Sequence, residues 1–181
     1  MQSLGMITLA VAVVGLSLGV LVLVAPARAR RAFTAFPRHV LAGRVLSALA
    51  LAWAARMLHV MPMGMLDVYK PALLVLTPLL IGLTWYYLDE LLAPRALGGL
   101  LLLIPAPWLT AARLHPSPWS AVASVVAYVM MVKGILLVTS PYQFRRQAEW
   151  WLGRDSRARV AGIVAIVLHG LLAVLALTVY A

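Results

Sequence analysis

The chain has 181 residues, of which 64% are hydrophobic and only 11% are charged, and its formal net charge is +10. A soluble domain is about 45–50% apolar and about 25% charged, so this composition excludes an ordinary soluble fold and points to a bilayer as solvent. Cysteine is absent, which removes disulfides, thiolate chemistry and cysteine-based metal sites.

The first apolar run is Leu4–Ala25. A signal peptide has a basic start and an apolar core of about 7–15 residues. Here the start has no basic side chain, the run is longer, and the positive charge follows it. That pattern reads as a retained first helix with its N-terminus outside. A basic segment, Pro26–Arg38, leads to a second helix over about His39–Val60. The Met/Pro/Gly-rich stretch Met61–Pro71 reads as a turn into a third helix, Ala72–Leu88. Asp89–Pro94 links to a fourth, Arg95–Arg113; Leu114–Pro118 links to a fifth, Trp119–Thr139. The long segment Ser140–Ala158 precedes a sixth, Arg159–Tyr180. A crossing takes about 20 apolar residues, so six account for nearly the whole chain. The expected fold is an all-α polytopic membrane protein: one membrane domain over 1–181, built as three hairpins at 4–60, 72–113 and 119–180.

Most of the 15 Lys and Arg residues fall in the links from odd to even helices. Arg28, Arg30, Arg31, Arg38 and Arg44 form one group, Arg95 stands in the second link, and Arg145, Arg146, Arg154, Arg157 and Arg159 form the third. Even-to-odd links carry Arg56, Lys70 and Arg113, at or near helix ends. The positive-inside rule places the arginine-rich links in the cytoplasm and both termini outside, the arrangement of a bacterial inner-membrane protein. Charge so placed argues for anionic lipid head groups as partners and against nucleic acid.

Two segments align without a gap. Gly19–Arg31 reads GVLVLVAPARARR and Gly134–Arg146 reads GILLVTSPYQFRR, matching Gly19 to Gly134, Pro26 to Pro141 and Arg30-Arg31 to Arg145-Arg146. A Gly/Arg element and an apolar helix follow each, through Gly43-Arg44 and through Arg159 to Gly162. The first and third hairpins thus read as a direct repeat, with a shorter relative at Pro94-Arg95 and Gly98-Gly99. The alternative is that any inner-membrane hairpin needs Pro and Arg at its cytoplasmic turn. Residues 134–180, and more weakly 19–60, resemble the small YjeT-type hairpin proteins of bacterial inner membranes. The resemblance implies a membrane hairpin unit; that family has no defined chemistry, so no residue inherits a role from it. Two such units around a third departs from the family's single-hairpin form.

The basic links have amphipathic periodicity. Phe144, Ala148 and Trp151 recur on one face, while Arg145 and Glu149 are spaced to pair. Ala29, Phe33 and Phe36 share a face in the earlier link. Both links read as short helices in the head-group layer, with Arg28, Arg30, Arg31, Arg145 and Arg146 on phosphates and Trp150 and Trp151 in the interfacial belt. Solvated loops are the plainer reading.

Three polar residues stand inside or near the spans: His169, Lys133 and Arg56. His169 lies near the middle of the sixth helix, as a proton relay, a ligand, or a neutral ring bonded to a neighbouring backbone. Lys133 either snorkels to the interface or pairs with Asp89 or Glu90. Arg56 and His59 share a face near Asp67 and suggest an outer ion pair. Pro78, Pro105 and Pro107 are candidate helix breaks, with Ala106 pushed from helical geometry; breaks at corresponding positions can mark a transport site. Gly15 and Gly19 form a GxxxG for close helix packing. No catalytic motif or metal-ligand spacing occurs, so no catalytic residue, cofactor or metal is expected. The sequence therefore favours a non-catalytic accessory or scaffold subunit or assembly factor, partnered by other membrane subunits or by itself. A small transporter or channel near the fourth helix, and a membrane enzyme or cofactor-binding subunit, are the alternatives.

Overall fold

A computed structural model describes residues 2–88 and 91–180. Every regular element among them is helical: α1 Gln2–Val24, α2 Pro26–Ala35, α3 Val40–Val60, α4 Leu73–Tyr87, α5 Leu92–Leu103, α6 Pro105–Arg113, α7 Ser120–Thr139, α8 Tyr142–Leu152 and α9 Asp155–Thr178. Short 3-10 segments occupy Phe36–Arg38 and Gly64–Ala72. Among the described residues, 6 segments are long and apolar enough to cross a membrane: Leu4–Val24, Val40–Val60, Gly64–Tyr87, Leu92–Arg113, Ser120–Thr139 and Asp155–Thr178. The protein is an all-α polytopic membrane protein.

The boundaries depart from the sequence reading where proline, glycine or charge misleads a hydropathy argument. Gly64–Ala72 coils instead of forming an open turn; Gly64 takes φ +60, which a side chain would strain. Asp67 Oδ1 accepts from the Met63 N–H at 3.0 Å and lies 2.7 Å from Lys70 Nζ. Its ionic partner is therefore Lys70, three residues away on the same turn, and the Arg56 pair anticipated from sequence does not form. The last helix begins at Asp155, ahead of Arg159, because arginines lower hydropathy without disfavouring a helix.

The fourth crossing loses a backbone hydrogen bond at Pro105, between α5 and α6, while Ile104 itself keeps helical dihedrals of φ −55 and ψ −43. Pro105 has no N–H to offer Leu101 and its ring crowds that carbonyl, while Ile104 still donates to Leu100 at 3.0 Å. Ala106, expected to leave the helix ahead of Pro107, lies inside α6. Pro78 does not break its helix: α4 runs through it uninterrupted. The Thr77 hydroxyl donates to Leu73 O at 2.6 Å one turn back, adding a hydrogen bond beside the donor that proline removes.

Consecutive spans alternate in direction, yet the closest packing is not within the hairpins. α1 lies antiparallel on α9: Gly5 meets Ala176 and Tyr180, Gly15 meets His169, and Gly19 meets Gly162 and Ala165. α7 lies antiparallel on α5 and α6, with Gly134 against Gly98 and Ala123 and Ala127 against Trp108. α4 lies on α3, where the Trp85 indole donates to Arg44 O and Ser47 Oγ at 3.2 and 3.1 Å. Each odd span thus leans on an even span from a different hairpin. α3 and α5, running in parallel, join the halves through Gly43 against Leu92 and Ala93 and through Ala50 against Gly99.

Small residues make this possible. The buried set is rich in alanine, with Trp108 and Tyr180 as its large members. Lipid is as apolar as leucine, so spans associate through close approach and hydrogen bonds rather than by hiding leucines. One cluster joins Leu4, Trp108, Ala112, Ala123, Ala127 and Tyr180, and there Trp108 Nε1 donates to the buried Thr8 hydroxyl at 3.0 Å. Tyr180 closes the same end by donating to Trp119 O at 2.6 Å; burial holds its phenol above the ordinary range. A second cluster, Val22, Ala29, Leu152 and Ala158, lies at the opposite end.

The helix register sorts the charges. Lys70, Arg113 and residues near both termini share one end, here the terminal end. The arginine-rich segments share the other, the basic end.

Candidate functional site at the basic end

The first and third basic segments begin with the same corner. Ala25, before Pro26, has φ −133 and ψ 61; Ser140, before Pro141, has φ −135 and ψ 68. A residue before proline is pushed out of the α region, so the transmembrane helix stops and a surface helix starts. Proline is pre-organised for the first helical turn of α2. Beyond α2, the Phe36–Arg38 turn delivers the chain to His39, whose Nδ1 accepts the Ala42 N–H at 3.1 Å and caps α3.

α2 and α8 pack against each other as a layer across this end. Ala29 and Ala148 are buried beneath it. Phe144 of α8 stacks on Phe33 at 6.1 Å and tilts against Phe36 at 5.2 Å, clasping the first basic segment to the third. The Arg145 Nε donates to Glu149 Oε1 at 2.7 Å along the exposed side of α8. α8 thereby has two working flanks. One borders an apolar groove of about 270 Å³ lined by Leu18, Val22, Phe33, Phe144 and Trp151. The other borders a polar cavity of about 390 Å³ lined by Thr34, Arg38, Tyr142, Arg145, Arg146 and Glu149.

The structure distributes the sequence candidates unevenly. Arg145 and Arg146 line the polar cavity, whereas Arg28, Arg30 and Arg31 lie exposed on α2 and do not. Trp150 and Trp151 meet edge to face at 4.7 Å, and the Arg157 guanidinium sits 4.8 Å from the Trp150 ring centroid. Arg38 was read only as charge, and its place in the cavity was missed. The signal available was Pro37, which sits buried and fixes the turn that carries Arg38.

The intramembrane candidates are scattered. His169 Nδ1 lies 2.8 Å from Ala165 O. A carbonyl only accepts, so that nitrogen carries the proton, and the bond is to the ring's own helix rather than a neighbour's. The ring lies over Gly15, where a methyl group would overlap it. Gly19 fills the next turn of the same crossing. Lys133 is exposed on α7 beside Tyr128, Val129 and Val132; its other suggested partners, Asp89 and Glu90, lie outside the described residues. Arg56 and His59 face α4 across a cleft that also takes in Thr77 and Pro78. His59 and His169 therefore face different helices and are not brought together. Pro107 borders a separate cleft with Trp53, Met57 and Thr110. Among the described residues no group of three His, Asp or Glu side chains is placed to hold a metal. No known protein family, curated protein or solved structure matches this chain.

Proposed function

We propose that this protein is a non-catalytic accessory or scaffold subunit of a larger complex in a bacterial cytoplasmic membrane. Its basic end faces the cytoplasm and both termini face out. The observation that carries this reading is α4. It packs chiefly on α3 and has no buried residue, and its Gly82 opens onto empty space. A glycine on the open flank of an apolar span lets a second helix backbone approach closely. The positive-inside asymmetry supports the orientation. The matching corners at Ala25 and Ser140 support reading the first and third hairpins as copies of one unit, in keeping with the YjeT-type resemblance.

The test is purification from native membranes in a mild detergent, with mass spectrometry for stoichiometry. A stoichiometric membrane chain, lost on Gly82→Leu while the protein stays folded, is the expected result. Recovery of the protein alone, or a partner indifferent to Gly82→Leu, would defeat the reading. A second reading is a small transporter, favoured by the hydrogen bond missing at Pro105 near the Trp53–Pro107 cleft and by Arg56 at the α3–α4 cleft. Solute flux in liposomes that disappears with Arg56→Gln would favour it.

A further inference from the structure

We propose that the polar cavity between the Phe36–Arg38 turn and α8 binds the phosphate of an anionic phospholipid head group, one per chain. The inference stands apart from the accessory-subunit reading. Its first support is charge. Among the described residues, three guanidinium groups and one carboxylate line the cavity. Glu149 engages Arg145 at 2.7 Å, and among the described residues Arg38 and Arg146 have no carboxylate partner. Guanidinium forks match phosphate oxygens in two parallel hydrogen bonds, and two of them converging is the usual chemistry of phosphate recognition. Tyr142 adds a phenol donor at the rim. Thr34 does not add a donor, because its hydroxyl proton is given to Arg30 O at 2.8 Å.

The second support is that the cavity is held in shape. Arg38 comes from the first hairpin, and Tyr142, Arg145 and Arg146 come from the third. The Phe36–Phe144 contact at 5.2 Å and the buried Pro37 fix one wall against the other. Arg28 and Arg31 carry the same charge on the same surface layer but do not line this cavity, so they attract an anionic membrane without contributing to the site. A free phosphate has the same recognition chemistry. The lipid is favoured by position: both walls belong to segments that lie where the spans emerge, at head-group depth.

The experiment is native mass spectrometry of the full-length protein in detergent, titrated with phosphatidylglycerol, with phosphatidylcholine or with inorganic phosphate. Arg38→Gln/Arg146→Gln is compared with Arg28→Gln/Arg31→Gln, which removes equal charge outside the cavity. One phosphatidylglycerol should be retained and phosphatidylcholine should not; the cavity pair should cut retention at least ~10-fold and the control pair less than ~3-fold. Equal losses in the two double variants would overturn the site in favour of a diffuse basic surface. Equal retention of both lipids, which share the phosphodiester, would overturn the selection of an anionic head group. Displacement of the lipid by inorganic phosphate at equal concentration would overturn the lipid as its source.

Discussion

The α5–α7 crossing offers the sharpest test of how this bundle is held together. Gly98 and Gly134 face each other, and each would place a new Cβ 2.8 Å from the other's carbonyl oxygen. The next atoms are no more forgiving, with Leu137 Cβ at 2.9 Å from the first and Leu102 Cγ at 2.9 Å from the second. Backbone oxygen cannot swing away as a side-chain tip can, so Gly98→Ala must push the two helices apart by about half an ångström or more before ordinary contact is restored. Overpacking of this kind costs about 1–3 kcal/mol. The intrinsic gain of alanine over glycine in a helix, about 1 kcal/mol, offsets part of it. Gly82→Ala and Gly170→Ala provide that gain alone, since nothing lies within 4 Å of either new methyl. Unfolding by denaturing detergent, followed by circular dichroism, should therefore rank Gly98→Ala and Gly134→Ala below wild type and the two controls at or above it. The double variant should cost less than its two parts together, by more than about 0.5 kcal/mol, because the first methyl already opens the space for the second. If Gly98→Ala proves as stable as Gly82→Ala, the crossing is not tight and the reasoning fails.

Other substitutions probe other parts. Gly15→Ala should lower detergent resistance by about 1–3 kcal/mol, because His169 must leave its 2.8 Å bond to Ala165 to make room; adding His169→Ala should recover part of that loss in the same assay. Trp108→Phe strands the Thr8 hydroxyl inside the terminal cluster and should cost about 1–2 kcal/mol, read as a lower melting temperature, with Thr8→Val restoring part of it. Phe144→Ala removes both ring contacts of the clasp, and hydrogen exchange should speed up over residues 26–38 while the spans remain protected. Single cysteines at Met63 or Ser117 should label from outside intact cells and one at Gln147 should not; the reverse pattern would invert the membrane orientation.

The spans and the amphipathic links were legible because both signals are coarse. Long apolar runs and the spacing of Phe144, Ala148, Arg145 and Glu149 survive without knowledge of neighbours. Partner choice was not legible. In α1, α4, α7 and α9 apolar residues surround the whole helix, so periodicity names no inner face. The information sits in glycine and alanine, whose hydropathy hardly distinguishes them from lipid-facing neighbours. GxxxG points to Gly15 and Gly19, and the repeat marks Gly98 and Gly134 separately, but no pattern pairs those two with each other. Arg38 was hidden in the same way: its charge was visible, while the cavity depends on Phe36 meeting Phe144 from more than a hundred positions away.

The leaning of α1 on α9 also bears on how the chain is made. A ribosome delivers these spans in order, so α1 enters the bilayer well before the α9 it packs against. Until Asp155–Thr178 has been inserted, the surface around Gly15 and Gly19 has no helix to receive it. The other odd spans do not wait: α7 finds α5 and α6 already in place and α4 finds α3. The α1–α9 contact therefore closes only once α9 has been inserted, and a chain cut short before that crossing leaves α1 in the membrane with its surface around Gly15 and Gly19 unfilled.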